Sequence, residues 1–253
     1  MSDLRLIARL DIKAPNLVKG RQFEGLRVIG DPKEFAIKYY EEGIDEIFYE
    51  DIVASLYERN SMLNIIEEVS NNIFVPMTVS GGLRSLNDVS TALKMGADKV
   101  AINTAAIKNP SFISDISDKF GSQCMVLSIQ AKKRDGYWEA FYDNGREKSN
   151  LNVVEWAITG EKMGAGEIIL TSVDNDGMSN GFDEELVNSV IKEINIPLIV
   201  SGGMNELTDI KNIVNNESVD AVAIGRNLHY NKFNITEIKD YCCSNGIKCR
   251  NSW

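Results

Sequence analysis

The chain repeats itself at half its length. Val79-Ser80-Gly81-Gly82 returns as Val200-Ser201-Gly202-Gly203, 121 positions later, and Gly43-Ile44-Asp45-Glu46-Ile47 returns as Gly164-Ala165-Gly166-Glu167-Ile168 at the same offset. Self-similarity on that scale restricts the fold to architectures built from duplicated supersecondary units. Short β-branched runs alternate with longer helical patterns, which points to βα units and a parallel sheet. Strands are predicted to begin near Arg5, Glu46, Phe74, Lys99, Met125, Glu167, Pro197 and Ala221, at intervals of 41, 28, 25, 26, 42, 30 and 24 residues. The first three intervals nearly recur as the last three. Helices are predicted over Pro32–Glu42, Met62–Asn71, Leu86–Met95, Val153–Met163 and Glu184–Glu193, with Gly43, Gly96 and Gly164 at the expected C-terminal caps. Eight such strands in 253 residues predict an α/β fold, a single (βα)8 TIM barrel over residues 1–253 with a two-fold half-barrel repeat. An open doubly wound sheet is the alternative, but no G-x-G-x-x-G turn follows the first strand.

Composition narrows the function classes. Apolar residues make up 43% of the chain, enough for a large core, and 27 Lys+Arg against 37 Asp+Glu leave a net charge of −10. That balance disfavours nucleic acid, whose phosphates need a basic face. No apolar run is long enough to span a bilayer, and Met1-Ser2-Asp3-Leu4-Arg5 does not read as a signal peptide. Cys124, Cys242, Cys243 and Cys249 fit no paired zinc spacing and read as reduced cytoplasmic thiols. The single histidine, His229, excludes multi-histidine metal sites and reads as a solvated loop residue. No metal or cofactor is expected. Ser172-Val173-Asp174-Asn175-Asp176-Gly177 only faintly resembles a calcium loop, because it lacks the first Asp and follows a strand.

Barrel active sites sit at the C-terminal ends of the strands. The two Ser-Gly-Gly turns fall there, after strands three and seven, and glycine leaves backbone N–H groups open to an anion. With Asn103-Thr104 and Gly225-Arg226 at the next strand ends, they predict two phosphate sites across one mouth and an elongated bisphosphorylated ligand. The same glycines would also serve plain tight turns. Asp11 and Asp51 are expected at the ends of strands one and two, as acid–base groups or as loop hydrogen-bonders. The half-repeat aligns Asp11 with Gln130, an amide that positions groups but transfers no protons near neutral pH. The longest connection in each half follows its first strand and is a candidate substrate lid.

Nearly the whole chain resembles the cyclase subunit of imidazole glycerol phosphate synthase. The matching stretches include Leu10-Asp11-Ile12-Lys13, Val18-Lys19-Gly20, Gly30-Asp31-Pro32, Thr78-Val79-Ser80-Gly81-Gly82, Ile102-Asn103-Thr104-Ala105-Ala106, and Leu170-Thr171-Ser172 running to Asp176-Gly177. The resemblance implies a half-repeated barrel that binds an aminoimidazole precursor by its two phosphates and takes ammonia from a glutaminase partner through the barrel. It implies Gly82, Asn103 and Thr104 for one phosphate, and Asp176, Gly177 and Gly203 for the other. Gly225 and Arg226 depart from the family's small residues there. Lys19 falls on the first loop, Thr171 and Asp51 on the substrate side, and Asp11 on one catalytic carboxylate. The second catalytic carboxylate falls on Gln130, and a cysteine position falls on Arg9. The family's ammonia gate falls on Arg5, Glu46, Lys99 and Glu167, and Asp98 matches a residue that faces the glutaminase. Three functions stay open. The chain is the synthase subunit, a paralogue that passes ammonia to another amidating enzyme such as one for nucleotide sugars, or a scaffold that activates a glutaminase.

Overall fold

The computed structural model describes residues 3–54, 63–216 and 219–250. Strand β1 (Arg5–Lys13) is followed by a hairpin, β2 (Asn16–Arg21) and β3 (Glu24–Gly30), then helix α1 (Pro32–Glu41) and β4 (Glu46–Asp51). Helix α2 (Leu63–Ser70), β5 (Met77–Ser80), α3 (Leu86–Lys94), β6 (Lys99–Ile102), α4 (Thr104–Lys108) and α5 (Ser111–Phe120) complete the first half. The second half repeats the plan. Strand β7 (Met125–Arg134) precedes a hairpin of β8 (Tyr137–Tyr142) and β9 (Glu147–Asn152), then α6 (Val153–Lys162) and β10 (Glu167–Ser172). Helix α7 (Glu184–Ile191), β11 (Leu198–Ser201), α8 (Leu207–Asn216), β12 (Ala221–Ile224), α9 (Arg226–His229) and α10 (Ile235–Ser244) follow. The parallel strands pair in the ring β1-β4-β5-β6-β7-β10-β11-β12, and β12 returns to β1 through Arg5↔Ala221 to Ala8↔Ile224. The predicted (βα)8 barrel is therefore closed.

Local chemistry explains the helix starts. Asp31 caps α1 by accepting from the Lys33 N–H, with Pro32 as the first helical residue. Ser85 with Asp88 and Asn234 with Glu237 form capping boxes at α3 and α10. Gly43, Gly96 and Gly164 follow the C-caps, as expected. Barrel strands are buried on both faces, so they read as continuous apolar runs. The main core lies between sheet and helices. A separate cluster of Ile7, Phe48, Ala101, Val126, Ile169, Ile199, Ala221 and Ala223 fills the barrel interior.

Four expectations need correction. The third and seventh strands begin at Met77 and Leu198 rather than at Phe74 and Pro197. Pro76 and Pro197 have no N–H for the ladder, and their carbonyls instead accept from Ile47 and Ile168. Asp11 lies inside β1, which continues to Lys13 because its end pairs with β2. The two long connections, read as loops with Lys19 on the first, are antiparallel hairpins that extend the sheet from β1 and β7, and Lys19 lies within β2. His229 is buried, not solvated: it closes the short helix α9 with Nδ1 2.8 Å from the Tyr39 hydroxyl. The start of α2 at Met62 lies outside the described residues.

Candidate active site

Strand alternation sends every second side chain into the barrel. At the N-terminal end this turns Arg5, Glu46, Lys99 and Glu167 toward one another, although they are far apart in sequence. Arg5 donates to Glu46 at 2.7 Å and also to Glu167, and Lys99 donates to Glu46 at 3.2 Å and to Glu167 at 2.9 Å. The four residues make a closed ring of alternating charge. Asp98 is exposed beside it, with its Oδ2 accepting from the Met77 N–H at 2.8 Å. Asp45 and Asp220 hold the Leu6 and Leu198 N–H groups in the same manner, so this carboxylate has a structural task repeated around the barrel.

Above the apolar interior lies a second, fully buried charge cluster. Arg9 crosses the barrel. Its Nε donates to Asp11 at 3.0 Å, Nη1 to Thr171 and Ser201 at 3.0 Å each, and Nη2 to Glu50 at 2.5 Å. Lys19 reaches in from β2 and donates to Asp11 at 2.7 Å and to both Asp176 oxygens at 3.1 Å. Gln130 Nε2 donates to Glu50 Oε1 at 3.3 Å, and Gln130 Oε1 has no partner among the described residues. Burial opposes the charge on Asp11, but Lys19 and Arg9 outweigh it and hold the carboxyl at about 2. Burial also opposes the charge on Lys19, and Asp11 with Asp176 reverses that to raise it. For Glu50 burial prevails and lifts the carboxyl above its ordinary value, with Arg9 only partly countering.

A cavity of about 360 Å³ opens above this cluster, lined by Glu50, Asp51, Gly82, Asn103, Thr104 and Gln130 among others. Asn103 caps α4, and its amide donates to the Ser128 and Phe141 carbonyls. The Thr104 hydroxyl accepts from the Asp143 N–H, which ties this side to the β8–β9 hairpin. The opposite side is tight. Asp176, Gly177, Gly203, Gly225 and Arg226 enclose only about 20 Å³, room for about one water. The β2–β3 turn lies over it: the Gln22 N–H donates to the Asp176 carbonyl at 2.8 Å, and a Cβ on Gly177 would stand 2.4 Å from the Gly20 carbonyl. The matched strand ends share one backbone. Asn103 has φ −122 and ψ −77, and Gly225 has φ −114 and ψ −75.

Of the residues predicted from sequence, the structure brings Asp11, Lys19, Thr171, Asp176 and Gln130 into one buried polar layer. It brings Gly82, Asn103, Thr104 and Asp51 to the open cavity. Thr171 is almost wholly buried and holds Arg9, and Asp51 accepts from the Val53 N–H. Sequence reasoning missed Glu50 and the bridging role of Arg9. Counting by twos from Glu46 would have turned Phe48 and Glu50 inward. Among the described residues no helix is long and apolar enough to cross a membrane, and no group of three or more acidic, His or Cys residues is arranged to hold a metal.

A closed barrel with a duplicated half, a charge ring at one end and a carboxylate–amide mouth at the other defines a (βα)8 protein equipped for polar small-molecule chemistry. The profile of the histidine biosynthesis protein family matches residues 5–234. The imidazole glycerol phosphate synthase subunit HisF of Legionella pneumophila is 57% identical over 210 residues, covering 83% of this chain and 99% of that protein. The HisF subunit of Dehalococcoides mccartyi is 43% identical over 250 residues, 99% of each chain, and that of Natranaerobius thermophilus is 39% identical over 246 residues, 97% of this chain and 98% of its own. The chain belongs to the histidine biosynthesis protein family, among the HisF subunits of imidazole glycerol phosphate synthase.

Proposed function

We propose that this chain is a cyclase-type subunit that condenses ammonia with a bisphosphorylated aminoimidazole ribonucleotide, the ammonia coming from a glutaminase docked on the strand N-terminal face. The observation that carries the reading is the ring of Arg5, Glu46, Lys99 and Glu167, at the opposite end of the barrel from the carboxylate-lined cavity. Four charges converging from distant strands cost desolvation, and a gate for a small polar molecule gives that cost a purpose. Gly82, Asn103 and Thr104 would take one phosphate. Gly177, Gly203, Gly225 and Arg226 would take the other once the β2–β3 hairpin, with Lys19, swings aside. The work would be cytoplasmic and needs no metal or cofactor.

A second reading rests on Arg9. Its clamp on Asp11 occupies the expected catalytic carboxylate, and its further bonds to Glu50, Thr171 and Ser201 lay a guanidinium across the barrel above the apolar interior. Under that reading the chain partners a glutaminase but serves a different acceptor, such as a nucleotide-sugar amidating enzyme. One assay separates the two: purified chain, aminoimidazole precursor and saturating ammonium, repeated with glutaminase and glutamine. Turnover with either nitrogen source supports the cyclase. No turnover with both sources, with ultracentrifugation still showing the glutaminase bound, supports the alternative acceptor.

A further inference from the structure

Three buried carboxylates, Asp11, Glu50 and Asp176, share two buried cations, Arg9 and Lys19. With all five ionised, the cluster keeps one uncompensated negative charge in a region shielded from water. The proton that relieves it belongs on the carboxylate with the fewest donors. Asp11 is held by both cations, and Asp176 takes Lys19 on both oxygens. Glu50 has Arg9 on one oxygen and, on the other, only an amide at 3.3 Å. Glu50 also lines the open cavity beside Gln130, whereas Asp11 is not among its lining residues.

We propose that Glu50 is the proton-transferring carboxyl group of this barrel, doing from β4 the acid–base work that Gln130 cannot do from β7. The inference rests on the cyclase reading above. When ammonia adds to an electrophilic carbon, the new nitrogen carries a positive charge and must lose a proton, and the departing oxygen must gain protons to leave as water. Glu50 as the carboxylic acid gives its proton to that oxygen as ammonia adds, recovers one from the nitrogen, and repeats the exchange as water departs, so two protons pass from nitrogen to oxygen and the group ends protonated as it began. Facing it are Arg9 and Asp11 from β1, Lys19 from β2 and Asp176 from the loop after β10. Asp11 is held ionised and Glu50 is pushed the other way, and two carboxyl groups driven apart in this manner divide acid and base roles between them.

The test is ammonium-driven turnover of the aminoimidazole precursor by the full chain and three variants, with precursor affinity by calorimetry and melting temperature measured for each. Glu50→Gln keeps the shape and an acceptor for Arg9. Its kcat should fall by about 10²–10⁴-fold, the usual contribution of a general acid or base, with precursor affinity retained. Its pH–rate profile should lose the limb along which the wild-type rate declines as pH rises. Glu50→Asp should keep that limb at a reduced rate. Glu50→Gln/Gln130→Asp moves the carboxyl across a single hydrogen bond and should regain part of the loss. Wild-type kcat in a folded Glu50→Gln variant would overturn the role of Glu50 and leave the cyclase reading standing. If Glu50→Gln fails to fold, an unchanged rate and profile in Glu50→Asp overturns it instead. Absence of turnover by the wild type, with the precursor bound, would overturn the cyclase reading and this inference together.

Discussion

Replacing Arg9 with methionine removes four hydrogen bonds at once while nearly preserving volume. Asp11 keeps Lys19 at 2.7 Å, but Glu50 is left with only the Gln130 amide at 3.3 Å. Removing one partner from a buried ion pair costs about 3–5 kcal/mol, because the other charge stays buried. At roughly 2–4 °C per kcal/mol for a chain of this size, the melting temperature should fall by about 6–20 °C near pH 8. The loss should shrink in mild acid. Without Arg9 the native state binds a proton at Glu50 that the unfolded chain, with an ordinary Glu pKa of about 4.3, does not bind near neutrality. A raised native pKa gives stability that is complete below the unfolded value and is lost as pH rises through the native one. Arg9→Met/Glu50→Gln should recover much of the loss, because the carboxylate left without a cation is gone and Asp11 and Asp176 both keep Lys19. Calorimetric melting of wild type, both single variants and the double variant at pH 6 and pH 8 measures the coupling. An Arg9→Met protein that melts within about 2 °C of wild type at pH 8, less than 1 kcal/mol on that scale, would refute the account of Arg9 as the charge tie across the barrel.

Acid should destabilise the protein in two stages, followed by urea denaturation across pH. Burial holds the His229 imidazole at about 4 against an ordinary 6.5, so between those values the unfolded chain takes up a proton that the native one does not, removing up to roughly 3 kcal/mol. Asp11, lowered from 3.8 to about 2, adds roughly 2 kcal/mol of loss as pH falls through that lower window; His229→Gln should abolish the first stage and keep the second. Gly203→Ala should cost more than Gly246→Ala by denaturant titration. Both glycines have positive φ, worth roughly 1–2 kcal/mol against a side chain, but only at Gly203 would the new Cβ stand 2.1 Å from a carbonyl, that of Gly181. Equal losses would show that the turn relaxes around the methyl group.

The barrel and its doubling were legible because both arise from local periodicity. Strand and helix starts follow from β-branched runs and capping residues, and the 121-residue offset of the Ser-Gly-Gly turns marks the half-repeat. The two strand starts that slipped did so at Pro76 and Pro197, where the apolar pattern runs on but the ladder lacks a donor. The hairpins after β1 and β7 were visible only as long intervals. Their β2 and β8 segments gain strand character by pairing with the ends of barrel strands, a non-local partner that a linear reading does not supply.

The site divides along the same line. Residue identity alone determined that Asp11 faces an amide at the matched position and that four alternating charges begin strands, because matching halves and matching motifs are properties of order along the chain. Only the tertiary structure decided which carboxylate the cavity reaches. Register aligns Asp11 with Glu50 on neighbouring strands, and closure of the barrel brings Gln130 from its far side to within 3.3 Å of Glu50. Arg9 and Lys19 then settle on Asp11 while Glu50 stays partly uncompensated. Charge balance in a buried space depends on which side chains share it, and strands far apart in sequence come to share a space only when the sheet closes.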